Sequence, residues 1–303
     1  MTFVMSPSYN GHTIRTNAKE TAMKIGITSG AYVGRYGWDE GLLKMRAHGY
    51  EAVDDQSFCN TETALFQMNE KEFEATLTER RRKYEANGIE IYQAHGPWRY
   101  PIRDFTAADR AERFEKMAKS IRGCAILGCP HMVIHNIMPY GPRDLSREVV
   151  TEINREFMGR LAEVGREYGV VVCMENMPFL HQHLATCQDL LDFVKSMNTE
   201  WIRFCLDTGH AAIRKHDPGD CVRLIGPEYL RTLHVHDNDG KRDYHRMPGT
   251  GVINWDDFGK ALCEIGYEGV VSLETAVPRD VSENREEAEM DLAKRAMQIA
   301  GRS

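Results

Sequence analysis

No stretch of this sequence approaches the run of about 18 consecutive apolar residues that a membrane-crossing helix needs, so no membrane span is expected. Positive charge is not in excess either. Lys and Arg number 38 against 45 Asp and Glu, a net charge of −7, which offers no overall attraction for a polyanion and argues against nucleic acid as a partner. The eight cysteines contain no CxxC pair, and no secretory signal is visible. They read as reduced thiols of a cytoplasmic protein, with Cys124, Cys173, Cys205 and Cys263 in apolar stretches where a thiol behaves as a small hydrophobe. A convincing phosphate cradle is also missing. The glycines of Pro248-Gly249-Thr250-Gly251 are not directly preceded by a strand, so unphosphorylated substrates are expected.

What is present is a rhythm. Residues 1–22 are polar and aperiodic and read as an N-terminal extension, peripheral or poorly structured. From Met23 onward, strand-like and helix-like segments alternate without a break in composition, which predicts βα units on a parallel sheet. The strands fall near 24–29, 50–54, 89–94, 132–136, 170–175, 202–207, 230–236 and 269–274. Helical patterns end at glycines: Trp38 to His48 before Gly49, Glu70 to Asn87 before Gly88, Ala107 to Leu127 before Gly128, and Ser146 to Tyr168 before Gly169. Trp255 to Ile265 before Gly266 and Val281 to Ile299 before Gly301 continue the series. Eight such units with chemical groups on many strands predict one α/β domain, a (β/α)8 TIM barrel over 23–303, rather than a doubly wound sheet.

The chemistry collects at strand ends. Ile202-Arg203-Phe204-Cys205-Leu206 is a buried run that delivers Asp207 and then His210 at its carboxyl end. Val170 to Met174 ends in Glu175, Leu230 to Leu233 leads into His234-Val235-His236-Asp237, and Gly269 to Leu273 ends in Glu274. A carboxylate closing a buried strand is costly to desolvate and needs a partner. Three carboxylates with one imidazole suit a shared divalent cation: Mn²⁺ first, with Mg²⁺, Co²⁺ or Zn²⁺ as alternatives. His95 in Gln93-Ala94-His95-Gly96-Pro97-Trp98, His135 in Val133-Ile134-His135-Asn136, and His245 in Asp243-Tyr244-His245 occupy similar positions. Each of the three also has an ordinary reading as a hydrogen-bonded core or loop histidine.

The set HGPW, VIH, MENM, LDTGH, LHVHDND, DYH followed by PGTGVINW, and SLET resembles the xylose isomerase-like TIM-barrel superfamily of sugar isomerases, epimerases and endonuclease IV. The resemblance covers about residues 24–277. It implies one divalent ion held by Glu175, Asp207, His234 and Glu274. His236 is the rival third ligand, because it faces the same side of the strand; the spacing to Asp237 favours His234. The implied activity is a metal-dependent sugar isomerase or epimerase acting on a small-molecule sugar or polyol ketone. It would abstract a proton beside a carbonyl and stabilise the enediolate on the metal, with Glu175 and Glu274 as the two bases. His95, Trp98, His135, His210, Asp243 and His245 would bind substrate. Relatives of this kind commonly form homo-oligomers. The same cradle serves a lyase or dehydratase on a keto-sugar or keto-glycoside, which would expel a β-substituent. An endonuclease IV-like phosphodiesterase is a further alternative, since ligand types for three metals are present, and a non-enzymatic sugar-binding barrel is the plainest.

Overall fold

A computed structural model describes residues 23–98, 104–139, 145–278, 280–281 and 283–302. The extension expected over 1–22 lies outside the described residues. Eight parallel strands form the sheet: Lys24–Thr28 (β1), Ala52–Asp55 (β2), Glu90–His95 (β3), His131–Ile134 (β4), Val171–Glu175 (β5), Ile202–Asp207 (β6), Leu230–His234 (β7) and Val270–Leu273 (β8). Their order is β7-β6-β5-β4-β3-β2-β1-β8. Just past β7, Val235 forms a parallel bridge with Leu273. Its N–H donates to Ser272 O at 2.9 Å, and the Glu274 N–H donates to Val235 O at 3.0 Å, closing the ring into the expected (β/α)8 barrel.

Local sequence sets the helices that wrap it. Asn69 and Thr106 each form a capping box, with Glu72 and Asp109 respectively, at the start of Glu70–Ala86 and Ala107–Leu127. The second of these ends at Gly128 and Arg147–Tyr168 ends at Gly169, with φ of 74° and 69°, a conformation that costs glycine little. The last helix, Arg285–Ile299, starts four residues later than its apolar pattern implies. Cys124, Cys173 and Cys205 are buried as expected, whereas Cys263 is exposed. It lies on the outer face of helix Trp255–Glu264, whose Phe258, Ala261 and Leu262 are the residues turned inward.

Period-two alternation within the strands divides two cores. Ile25, Ile27, Ile91, Met132, Ile134, Val172, Met174, Phe204, Leu206, Leu233, Val271 and Leu273 pack outward beneath the helices in one large cluster. The lumen holds a separate small cluster of Val133, Cys173 and Cys205. Two residues further along each of those strands, the same inward direction belongs to His135, Glu175 and Asp207. Alternation thus lays a compact layer at mid-barrel and puts ionisable groups at its carboxyl-terminal mouth, the end where TIM barrels do chemistry.

Candidate metal centre and active site

Glu175 is the centre of the cluster. Its Oε1 lies 3.0 Å from His234 Nδ1, and its Oε2 lies 3.2 Å from His135 Nε2 and 3.7 Å from His95 Nε2. Glu274 Oε2 is 3.3 Å from His234 Nδ1 and 3.7 Å from His245 Nδ1. The oxygens of Asp207 divide their work. Oδ1 accepts the His210 N–H at 2.6 Å, capping the short helix Thr208–Ile213, while Oδ2 lies 2.9 Å from His236 Nε2. One ligand atom from each of Glu175, Asp207, His234 and Glu274 falls within 4.8 Å of the others. Three overlapping groups meet the same distance limit: His95 with Glu175 and His234, Asp207 with His210 and His236, and His236 with His245 and Glu274.

The charge environment is uneven. Burial opposes ionisation of Glu175, but His234, His135 and His95 override it and hold the carboxyl well below its usual range. Burial raises the Glu274 carboxyl, with His234 and His245 only partly opposing it. Burial also works against charging His210, yet Asp207, Asp243 and Glu175 push it up to about 10. His135 is lowered to about 4 by burial, against the pull of Glu175. Despite its close imidazoles, Glu175 Oε2 makes no well-formed hydrogen bond, and neither does His236 Nδ1. An enclosed carboxylate oxygen with imidazoles near it but no well-aligned hydrogen bond is costly, and a cation ligated by this oxygen-rich, thiolate-free set would remove that cost.

The loop after β7 delivers two more groups. Asp237 and Arg246 exchange backbone hydrogen bonds at 2.8 Å in an antiparallel bridge, so the intervening chain folds over the barrel mouth. It brings Asp243 Oδ2 to 3.1 Å from His210 Nε2 and 3.2 Å from His245 Nε2. His245 has a φ of 45°, an uncommon conformation for a non-glycine residue, and its ring stacks on His236 with centroids 4.0 Å apart. Of the residues expected to touch substrate, His95, Trp98, His135, His210, Asp243 and His245 all line one cavity of about 450 Å³, together with Glu175 and Glu274.

Several site residues were not apparent from the sequence. Asp54, at the end of β2, lies 3.1 Å from His234 Nε2 and accepts from Gln93 Nε2 at 3.0 Å. Asn176 clamps the backbone of Asp207, accepting its N–H at 2.8 Å and donating to its carbonyl at 3.0 Å. Asp237 accepts the N–H groups of Gly249, Gly251 and Val252, each at 3.0 Å, and the Trp255 indole N–H at 2.9 Å. The amides of Gly249 and Gly251 are therefore turned onto an internal carboxylate, and that of Thr250 onto Met247 O. The one available signal was the strand-end rule itself, which Val53-Asp54-Asp55 obeys as well as Met174-Glu175 does.

Residues 42–300 match the xylose isomerase-like TIM barrel family. A D-psicose 3-epimerase of Agrobacterium fabrum is 28% identical over 238 residues, covering 75% of this chain and 78% of the relative. A D-psicose 3-epimerase crystallised in the presence of D-fructose superposes with a TM-score of 0.71 at 22% identity, covering 92% of this chain and 97% of the other. A crystal structure described as the IOLI protein with a binding zinc atom superposes with a TM-score of 0.74 at 17% identity, covering 92% and 98%. At these identities the two structures speak for the fold.

Proposed function

The chain belongs to the xylose isomerase-like TIM barrel family, and from that premise we propose that it is a divalent-metal-dependent sugar epimerase or isomerase acting on a small ketose-like substrate. The observation that carries the reading is the convergence of Glu175, Asp207, Glu274 and an imidazole on one enclosed point beside the cavity. Mn²⁺ is the ion we favour for so oxygen-rich a set. Two imidazoles compete for the nitrogen position. His234 belongs to the four-residue group and is backed by Asp54, the carboxylate–histidine pairing that orients ligating rings. His236 has one nitrogen on Asp207 and the other unpartnered, and it stacks on His245, which lines the cavity.

Held by Glu175, Asp207, Glu274 and one of the two imidazoles, a divalent ion would supply positive charge that makes a C–H next to a substrate carbonyl more acidic. The protein provides the rest. Glu175, held ionised by its imidazoles, is suited to accept the proton, and Glu274, whose carboxyl is raised, is suited to hold and return one. The two project from β5 and β8, three strands apart in the ring, and on this reading they would serve opposite faces of one carbon. His95, His135 and His210 line the cavity as partners for substrate hydroxyls, and the Asp243–His245 pair closes it from above. Trp98 offers an apolar face to the sugar ring.

Metal analysis coupled to solvent exchange tests this. Purified protein loaded with Mn²⁺ should incorporate deuterium from D₂O beside the carbonyl of a ketose, observed by NMR, and lose that activity with EDTA. Asp207→Asn should lower metal content. Of His234→Ala and His236→Ala, one should empty the site and the other retain it, which names the nitrogen ligand. Deuterium incorporation that is unaffected by metal removal would sink the reading. Expulsion of a β-substituent, rather than an epimer, would move the chain to the lyase alternative.

A further inference from the structure

Behind the strand that carries Glu274, a second group of charges is buried in the helical layer. Glu289, on helix Arg285–Ile299, is only 3% exposed. Its Oε1 accepts the Tyr36 hydroxyl at 2.7 Å and lies 3.7 Å from Arg35 Nη1 and 3.9 Å from Arg285 Nη1. None of these four residues is among the described residues that line the cavity, yet burying a carboxylate there is costly. Both guanidiniums have a second task. Arg35 Nη2 donates to Val277 O at 2.8 Å, and Arg285 Nη2 donates to Pro278 O at 3.0 Å. Those carbonyls belong to the chain that leaves β8 through Glu274, Thr275 and Ala276, and all three of these residues line the cavity.

The stretch is gripped from the other side by the loop after β7. Thr275 Oγ1 donates to His245 O, and His245 Nδ1 lies 2.7 Å from Glu274 O. The backbone below the Glu274 carboxylate is thus held between His245 at the mouth and two arginines in the helical layer. A guanidinium is a rigid planar fork, so the carbonyl it holds follows whatever fixes the fork. Here that is Glu289. Arg35 Nη1 and Glu289 Oε2 are both enclosed and make no hydrogen bond, so what draws the two together is charge acting across a few ångströms in a water-poor setting rather than a bidentate bond. Glu286, one turn earlier on the same helix, offers a contrast. Its oxygens take Lys44 Nζ at 2.6 Å and His48 Nε2 at 2.7 Å. Among the described residues, neither of those partners bonds to 274–278.

Resting on the metal-dependent reading above, we infer that Glu289 is a positioning residue: acting through Arg35 and Arg285 from outside the barrel wall, it sets where the Glu274 carboxylate stands relative to Glu175 and Asp207. Glu289 itself touches neither substrate nor ligand groups. Its charge is felt at the site only as the place and steadiness of the chain that bears Glu274, and displacements of about 1 Å are enough to cost catalysis heavily.

Two variants on one helix separate positioning from stability. Glu289→Gln keeps an acceptor for Tyr36 and removes the charge between the arginines, whereas Glu286→Gln removes a charge whose partners lie elsewhere. In metal-loaded protein, kcat for deuterium incorporation into a ketose should fall by about tenfold in Glu289→Gln with KM within about threefold. In Glu286→Gln, kcat should stay within about twofold of the parent, whatever the change in Tm. Hydrogen exchange of the Glu274–Val277 amides, followed by mass spectrometry on metal-free protein, reads the same effect without catalysis: about tenfold faster in Glu289→Gln and unchanged in Glu286→Gln. Because Glu289→Gln leaves Arg35 without its counter-charge, the double variant Arg35→Met/Glu289→Gln serves as the folding control. It should recover Tm while kcat stays low, since Val277 O still lacks its donor. Unchanged exchange in Glu289→Gln overturns the inference and leaves the isomerase reading in place. So do equal losses of kcat in the two single variants, or a kcat that returns with Tm in the double variant. If the parent protein itself exchanges no ketose proton with metal present, the isomerase reading fails, and the Glu274–Val277 amides alone then decide whether Glu289 holds this chain.

Discussion

Glu175 and Glu274 share one cluster and one neighbour, His234, but their environments push them apart. The first is surrounded by three imidazoles and stays ionised; the second is governed by burial. Carboxylates separated in this way divide into base and acid. Replacement of Glu274 by Gln preserves shape and leaves an oxygen for an ion, while removing the ability to carry a proton. At saturating metal, kcat should fall by about 10²–10⁴-fold with a smaller change in KM. Steady-state kinetics at several metal concentrations checks this, and full turnover would leave Glu274 without a part in proton transfer. The residues behind this prediction were legible because strand alternation and a carboxyl-terminal position are both written in the chain. Asp54 was not. Its meaning depends on His234, 180 positions away, and an acidic residue at a strand end does not announce its partner across the lumen.

Among the elements, the loop after β7 shows what sequence patterns leave open. Its glycines read as a weak anion turn, and the structure gives the reason for them: a Cβ on Gly251 would lie 2.0 Å from Asn238 O and 2.3 Å from Asp237 Oδ1. Close approach of backbone to carboxylate, and not to an external anion, is what requires the small residue. Asp237 thus pins the returning chain whose other arm holds Asp243 and His245. Asp237→Asn keeps the size but loses acceptor capacity, leaving N–H groups short of partners. KM should rise by about tenfold with metal content largely kept, since Glu175, Asp207 and Glu274 lie on other segments and only the nitrogen ligand lies beside Asp237; inductively coupled plasma analysis alongside kinetics separates the two. Loss of metal in this variant would show that the loop holds the centre itself. The strands and most helix ends were legible from apolar runs and terminal glycines, but a loop that folds back through a buried side chain has no period to read.

For the whole molecule, enclosing so many ionisable groups links folding to pH. In the metal-free protein His210 is raised to about 10 and His135 lowered to about 4. The raised imidazole contributes stability fully present below its ordinary value of about 6.5 and lost as pH climbs toward 10. The lowered one costs stability as pH falls from about 6.5 toward 4, where the unfolded chain takes up the proton first. Thermal unfolding of EDTA-treated protein should therefore give a Tm that declines on both sides of about pH 6.5. An ion requires deprotonated histidine, so the metal-loaded protein should lose less on the alkaline side. A metal-free Tm that rises steadily to pH 10 would contradict the charged state assigned to His210.

The alternation that places Val133, Cys173 and Cys205 inward, and His135, Glu175 and Asp207 two steps later, also constrains how such a protein can change over time. Inserting or deleting one residue within a strand would turn its functional group out of the lumen and into the apolar layer beneath the helices. Heritable variation by length is therefore confined to the connections beyond the strand ends, where Trp98, Phe179 and the Asp237 loop reside. Diversification of the ligand at constant chemistry is the course that this geometry leaves open.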